Sequence, residues 1–131
     1  AESVHLADFP AQEALDEALL SRWEGFLALR EAVKKALEEA RQAGQIGNPL
    51  ESCVEVSAEE DTLALLGSFG ASLSTLLLVS QVVLKESSDG LKVEVRPADG
   101  VKCARCWLVR TDTGTNPEHP QLCARCTQAI A

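Results

Sequence analysis

The chain has 131 residues, of which 46% are hydrophobic, and a formal net charge of −8 at pH 7. This length suits one domain or a compact domain with a small appended module, and the hydrophobic fraction excludes a disordered chain. Residues 1–100 carry a net charge of −10 and residues 101–131 a net charge of +2, which excludes unselective binding of nucleic acid because the larger part repels phosphate.

The first predicted segment is an extended lead-in over residues 1–12, which Pro10 ends. The chain begins at Ala1 and contains no Met. It also lacks the charged, apolar and small-residue regions of a secretory signal. We therefore expect an excised piece of a longer protein.

A long amphipathic helix is predicted from Asp16 to Ala43, because apolar residues recur there at spacings of three and four. Gly44 is a natural C-cap for this helix. Ser21 and Glu24 match a capping box, which predicts a fresh helix start at Ser21. The apolar stripe consists of Leu19, Trp23, Phe26, Val33, Leu37 and Ala40.

A short strand and a second helix are predicted next. Residues 52–56 alternate in the manner of a strand and include Cys53, which we expect to be a small buried hydrophobic residue. Ser57 and Glu60 match a second capping box, so we expect a helix over residues 58–68. Two glycines near its end weaken or break that helix.

Residues 76–84 are predicted to be a buried strand, and residues 91–96 its partner in a β-hairpin. Residues 63–84 are uncharged and long enough to cross a bilayer. Eight of them are Gly, Ser, Thr or Gln, and no basic cluster or aromatic belt flanks the stretch. We therefore expect a buried helix, turn and strand here.

Four of the five cysteines form two C-x-x-C pairs separated by sixteen residues. Each pair can place two sulfurs on one ion, and this separation lets the second pair return to complete a tetrahedron. Four thiolates suit one structural Zn²⁺ ion per chain, in a reducing compartment such as the cytoplasm. Two disulfides, an iron–sulfur centre and a ligand role for His119 are the alternatives. The predicted ligands are Cys103, Cys106, Cys123 and Cys126.

The predicted fold class is α+β: a long amphipathic helix, a small mixed α/β unit with a β-hairpin, and a C-terminal four-cysteine zinc-knuckle module. Residues 1–50 form the lead-in and long helix, residues 51–100 the α/β subdomain, and residues 101–131 the zinc module. We see no paired acid and base, activated nucleophile or phosphate-binding loop, so no catalytic residue is predicted.

Basic and aromatic residues surround the predicted zinc site. They either offset the −2 charge of a zinc tetrathiolate and pack on the module, or they contact nucleic acid through phosphates and a stacked base. These residues are Lys102, Arg105, Trp107, Arg110 and Arg125.

Several stretches resemble bacterial isoleucyl-tRNA synthetases. Residues 102–107 (KCARCW) and 122–126 (LCARC) resemble the carboxy-terminal zinc motif of that family, in which a Trp follows the first pair. Residues 3–10 resemble the segment after the anticodon-binding helices, residues 23–41 the long helix that follows, and residues 47–51 the linker into a small α/β unit. The similarity covers nearly the whole chain in one order.

The resemblance implies a parent class I synthetase that uses ATP to attach isoleucine to its tRNA. The HIGH and KMSKS signatures of the family do not occur in these residues, so the expected role is tRNA binding and positioning. Isoleucine tRNA and the catalytic and anticodon-binding parts of the parent chain are the expected partners. We expect a cytoplasmic monomer without a membrane partner. The individual tRNA contacts are inferred from charge and position, not from the family.

Two other functions are considered. A zinc-stabilised protein-interaction module would leave the apolar face of residues 19–37 exposed. The DNA-binding zinc tail of formamidopyrimidine-DNA glycosylases also has two C-x-x-C pairs, but it follows a helix-two-turn-helix and an amino-terminal proline nucleophile. Here a strand-rich unit precedes the cysteines and Pro10 is internal.

Overall fold

The computed structural model describes residues 3–9, 11 and 14–130. It confirms the α+β class. The helices and strands are α1 (Glu17–Gln42), β1 (Ser52–Ala58), α2 (Glu60–Gly67), α3 (Leu73–Leu77), β2 (Gln81–Glu86), β3 (Lys92–Pro97), β4 (Val101–Lys102), β5 (Val109–Arg110) and α4 (Ala124–Gln128).

Helix α1 has the predicted extent and buries the middle and end of the predicted stripe. The predicted fresh start at Ser21 is wrong, because the helix runs unbroken through that residue. Its N-cap is Asp16, whose carboxylate accepts a hydrogen bond from the Leu19 N–H at 2.9 Å. Gly44 follows the last turn with φ +71°, which fits a left-handed C-cap.

The lead-in is not extended throughout. Residues Val4–Leu6 form a single 3-10 turn, because the Ser3 hydroxyl accepts a hydrogen bond from the His5 N–H. The predicted end at Pro10 lies outside the described residues.

The second predicted capping box is also wrong. Ser57 lies inside β1, and α2 begins after Glu59, whose side chain makes no capping hydrogen bond. Ser57 is in a strand and not at a helix cap because β1 is the central strand of the sheet. Hydrogen bonding to a strand on each side outweighs the local capping preference of the serine.

The predicted strand over residues 76–84 begins later than expected. Helix α3 ends at Leu77, Leu78 follows in a left-handed conformation with φ +59°, and β2 begins at Gln81. The expected succession of helix, turn and strand over residues 63–84 is confirmed. Within the part of the chain that the structure describes, no helix is long and apolar enough to cross a membrane.

The predicted hairpin between β2 and β3 does not form. The sheet order is β2-β1-β3: β2 runs parallel to β1 on one side, and β3 runs antiparallel to it on the other. Residues 87–91 carry the chain across the end of β1. Helices α2 and α3 form the crossover that a parallel pair requires.

The core lies between α1 and one face of the sheet. Val54 on β1 lies beside Val82 of β2 and Val95 of β3, and the next inward row repeats this arrangement two residues on. Helix α1 covers these rows with buried residues, and each buried Phe, Val or Leu side chain stabilises the fold by about 1.5–3 kcal/mol. These residues are Phe26, Val33, Leu37 and Ala40. The division into residues 1–50, 51–100 and 101–131 stays a prediction.

Gly100, between β3 and β4, is required by both its conformation and its surroundings. Its φ is +119°, and a Cβ atom there would lie 2.4 Å from the Arg110 carbonyl oxygen. Gly90 also has a positive φ (+82°) but faces open space. Substitution at Gly90 therefore tests backbone strain alone, whereas substitution at Gly100 tests strain and steric clash together.

We predict that Gly100→Ala lowers the free energy of unfolding of the zinc-loaded chain by about 2–5 kcal/mol, from strain plus clash. Gly90→Ala, the matched control, should cost only the strain, about 1–2 kcal/mol. Urea titration measures both. Equal losses would mean that the close approach at Arg110 does not exist.

Candidate metal centre

Strands β4 and β5 form an antiparallel pair whose loop carries the first C-x-x-C pair. Lys102 lies opposite Val109 in this pair. The Cys103 N–H donates to the Leu108 carbonyl at 2.9 Å, and the Trp107 N–H donates to the Cys103 carbonyl at 2.9 Å. These bonds close the loop tightly enough to turn both sulfurs towards one point.

The second pair lies at the start of α4. Cys123 precedes the first turn, and its carbonyl accepts a hydrogen bond from the Thr127 N–H at 3.0 Å. The Ala104 N–H donates to the Gln121 carbonyl at 3.0 Å, and the Cys123 N–H donates to the Cys103 Sγ at 3.4 Å. Backbone contacts thus hold the two pairs against each other.

The structure brings the four predicted ligands together. Their Sγ atoms all lie within 4.8 Å of one another, and the Cys106 and Cys123 sulfurs are 3.8 Å apart. A tetrahedral ion with Zn–S bonds of about 2.3 Å has sulfur–sulfur edges of about 3.8 Å. The cluster therefore fits one four-coordinate zinc ion with no position left for substrate.

The thiols of this cluster ionise unequally. Burial and the neighbouring sulfurs raise the pKa of Cys106 to about 12. Burial also acts to raise the pKa of Cys103, but N–H groups of Cys106, Cys123 and Arg105 favour its thiolate and lower the pKa to about 6. Four thiolates this close repel one another, so a divalent cation is what allows all of them to ionise.

Two of the alternatives, paired disulfides and a ligand role for His119, find no support in this geometry. All five cysteines are free thiols, and a sulfur–sulfur distance of 3.8 Å is far beyond a disulfide bond of about 2.05 Å. His119 is not one of the clustered groups. Cys53 is fully buried in β1, as predicted, and lies outside the cluster.

The predicted nucleic-acid contacts divide into two groups. Lys102 is ion-paired with Glu51 at 2.9 Å, and Arg110 is held by both carboxylate oxygens of Asp112 at 3.0 and 3.2 Å. Arg105 and Arg125 are exposed and form no ion pair with any residue the structure describes. Their charges are available to an external partner, whereas those of Lys102 and Arg110 are used within the chain.

Trp107 is exposed and strained. Its φ is +65°, a left-handed conformation that is an outlier for a bulky residue, and 61% of its surface is accessible. Such a conformation costs about 1–2 kcal/mol relative to glycine at the same position. The fold therefore holds a large aromatic side chain outward at an energetic cost.

Sequence reasoning missed the residues that hold the module against the sheet: Glu51, Ser80, Gln81 and Asp99. Glu51 and Ser80 form hydrogen bonds to residues of the module 51 and 29 positions away. Gln81 and Asp99 bond to each other, 18 positions apart, and hold the segment that leads into the module. No local pattern marks pairs at such separations.

Comparison with known proteins agrees with this geometry. Residues 100–129 match the family described as "Zinc finger found in FPG and IleRS". Isoleucine–tRNA ligases from Geobacter sulfurreducens, Geobacillus thermodenitrificans and Exiguobacterium sibiricum are 40%, 41% and 42% identical over 140, 142 and 135 residues. Each alignment covers 98% of this chain, which spans only 15% of the relative. The resemblance inferred from the sequence is confirmed, and the metal of the cluster is a structural zinc.

We predict that Cys123→Ser lowers zinc affinity by more than about a hundredfold, since even residues that only support a ligand contribute 10- to 100-fold. Cys53→Ala, the matched control, should keep one zinc per chain because this thiol lies outside the cluster. Elemental analysis and chelator competition measure both. Retention of zinc by Cys123→Ser would contradict the ligand assignment.

Proposed function

We propose that this chain is the zinc-stabilised, tRNA-binding and positioning piece of an isoleucine–tRNA ligase. The whole ligase joins isoleucine to its tRNA at the expense of ATP, and the catalytic site lies outside these 131 residues. The similarity to isoleucine–tRNA ligases over 98% of the chain supports the parent activity. The arrangement of the zinc module supports the tRNA-binding role.

The observation that carries the binding role is the exposed, strained Trp107. A fold that needed only a tight turn here would place glycine at φ +65°. Backbone strain at an exposed aromatic residue points to a contact outside the chain. An indole suits an unpaired base, because stacking on an aromatic ring contributes about 1–3 kcal/mol per base.

The two available arginines complete this surface. Each arginine lies between the two cysteines of a C-x-x-C pair, Arg105 in the first pair and Arg125 in the second. Both therefore lie beside the zinc cluster. Guanidinium groups bind phosphate oxygens through paired hydrogen bonds. We therefore assign phosphate contacts to Arg105 and Arg125, and base stacking to Trp107. Lys102 and Arg110 support the surface through their partners within the chain.

The charge distribution restricts where tRNA approaches. Residues 1–100 carry a net charge of −10 and repel the phosphate backbone. Residues 101–131 carry +2 before the cluster is counted, and a zinc tetrathiolate adds −2. Binding therefore depends on local contacts at the knuckles and not on a basic field. Such a surface orients tRNA for a catalytic centre elsewhere in the ligase.

A second role follows from exposed leucines on α1. Leu19, Leu20 and Leu27 are 44%, 42% and 50% exposed. Most of the predicted face of residues 19–37 is buried within the chain, so these exposed leucines are what is left for docking against the catalytic and anticodon-binding parts of the parent ligase. The whole enzyme is proposed to be a monomer and to be cytoplasmic, since a reducing compartment keeps the cysteine thiols free to bind zinc.

The experiment that tests the function is done in the whole ligase. Cys123→Ser should reduce tRNA charging by about a hundredfold, because a misplaced substrate loses that much rate. Isoleucine-dependent ATP–pyrophosphate exchange should stay within about twofold, because activation does not need tRNA orientation. Cys53→Ala serves as the control. An equal loss of both activities would contradict a tRNA-positioning role.

We predict that Trp107→Gly weakens binding of isoleucine tRNA by the zinc-loaded chain about 5- to 150-fold, from the loss of stacking. Its free energy of unfolding should change by less than about 1 kcal/mol, because relieved strain offsets the added freedom of the unfolded chain. Fluorescence titration and urea denaturation measure the two effects.

Leu78→Gly is the matched control. Leu78 also has a positive φ (+59°) and is 56% exposed, but it belongs to the α/β unit. This variant should bind isoleucine tRNA with the affinity of the wild-type 131-residue chain. Equal weakening by both variants would mean that Trp107 makes no special contact.

A further inference from the structure

One serine joins the zinc module to the sheet. Ser80 lies immediately before β2, and its hydroxyl donates a hydrogen bond to the Leu50 carbonyl at 2.5 Å. The same hydroxyl accepts a hydrogen bond from the Val109 N–H at 2.7 Å. A single half-buried side chain thus connects β5 of the zinc module with the turn before β1.

Both ends of this connection are fixed. The Ser80 N–H donates to the Ser52 carbonyl at 3.1 Å, which sets the serine in line with the central strand. Val109 is 8% exposed and pairs with Lys102, the residue before the first zinc ligand. The connection therefore runs from the sheet through Ser80, Val109 and Lys102 to the first C-x-x-C pair, so little of the chain between them is free to rotate.

The contacts on either side of Ser80 are exposed. The Gln81 amide exchanges two hydrogen bonds with the Asp99 backbone, at 2.8 and 3.0 Å. Lys102 and Glu51 form an ion pair at 2.9 Å. Water and salt compete for exposed polar contacts of both kinds, so neither fixes an orientation alone. The half-buried hydroxyl is shielded from that competition.

Among the described residues, the boundary also lacks an apolar core. The cluster that packs α1 on the sheet contains no residue from the zinc module, and the cluster around the metal contains only cysteines and Leu122. Non-directional apolar packing therefore contributes little to the orientation, and directional hydrogen bonds decide it.

We propose that Ser80 is a positioning residue for tRNA: its hydroxyl fixes the orientation of the zinc module, and with it Arg105, Trp107 and Arg125, relative to the α/β unit. The proposal rests on the proposed function for its tRNA readout and on geometry alone for the orientation. A hydroxyl suits this place because it donates and accepts at once. Alanine does neither, and threonine does both.

The variants follow from that chemistry. Ser80→Ala removes the connection and leaves the Val109 N–H and Leu50 carbonyl without this partner. Ser80→Thr restores the hydroxyl. Ser57→Ala is the matched control: Ser57 is also half-buried in the sheet, on β1, and its side chain forms no hydrogen bond with any residue that the structure describes.

The first measurement is the orientation of the two parts in the zinc-loaded, 131-residue chain, from residual dipolar couplings. Wild type, Ser57→Ala and Ser80→Thr should each fit one alignment tensor for residues 52–97 and 101–128. Ser80→Ala should need two tensors while keeping one zinc per chain. A single tensor in Ser80→Ala would overturn the proposal whatever happens to tRNA binding.

Hydrogen exchange of the wild-type chain tests the Ser80–Val109 hydrogen bond without any variant, so it still applies if Ser80→Ala does not fold. In the wild-type chain, the Val109 amide should exchange at least about tenfold more slowly than the exposed, unpaired amides of the same module, as expected for an intact hydrogen bond. Exchange at the rate of those exposed amides would overturn the proposal without any variant.

The second measurement is tRNA affinity. Ser80→Ala should weaken binding of isoleucine tRNA about tenfold at full zinc occupancy, and Ser80→Thr should restore it. If the wild-type chain binds no tRNA, the proposed function fails while the dipolar couplings still decide the role of Ser80. If the tensors separate and tRNA affinity is unchanged, Ser80 orients the module but does not position tRNA, and the proposal is overturned in that part.

Discussion

Mutual repulsion among four clustered sulfurs is the constraint on which the zinc module depends. Three of the four cysteines are at most 1% exposed, and the fourth is half-buried, so water cannot stabilise four negative charges there. The hydrophobic cluster around them adds only Leu122 among the described residues. About thirty residues with two short strands and a five-residue helix bury too little apolar area to fold alone. Zinc coordination takes the place of a hydrophobic core.

The α/β unit is stabilised in the opposite way. Its valines and leucines form rows across three strands, and α1 covers them with four buried side chains. Apolar area decides that packing, and hydrogen bonds only fix the register. The two halves of the chain therefore respond to different conditions. We expect loss of metal to disorder the zinc module, while the sheet and α1 keep their own core.

The sequence predicts those features whose interacting residues are close together in the chain, and it misses those whose partners are far apart. Helix α1 and the zinc cluster were predicted closely, because periodicity and cysteine spacing are local patterns. The capping box at Ser57 failed because strand pairing outweighs a local preference, and the one at Ser21 failed because the helix already starts at the Asp16 cap. The β2–β3 hairpin failed for a related reason: a turn signal shows where the chain reverses, but not which strand lies beside it. Ser80 and Glu51 act on partners 29 and 51 residues away, which no local pattern reveals.

The strain at Trp107 links the metal to the proposed function. Trp107 directly follows the ligand Cys106, and its N–H donates to the Cys103 carbonyl, so the bonds that form the first knuckle also impose φ +65°. An unconstrained tryptophan would leave this conformation, because it costs about 1–2 kcal/mol relative to glycine. Coordination of the first pair supplies that constraint. In the proposed function the zinc therefore does more than fold the tail: it stabilises the loop that holds the Trp107 indole outward, on the same module as the exposed Arg105 and Arg125.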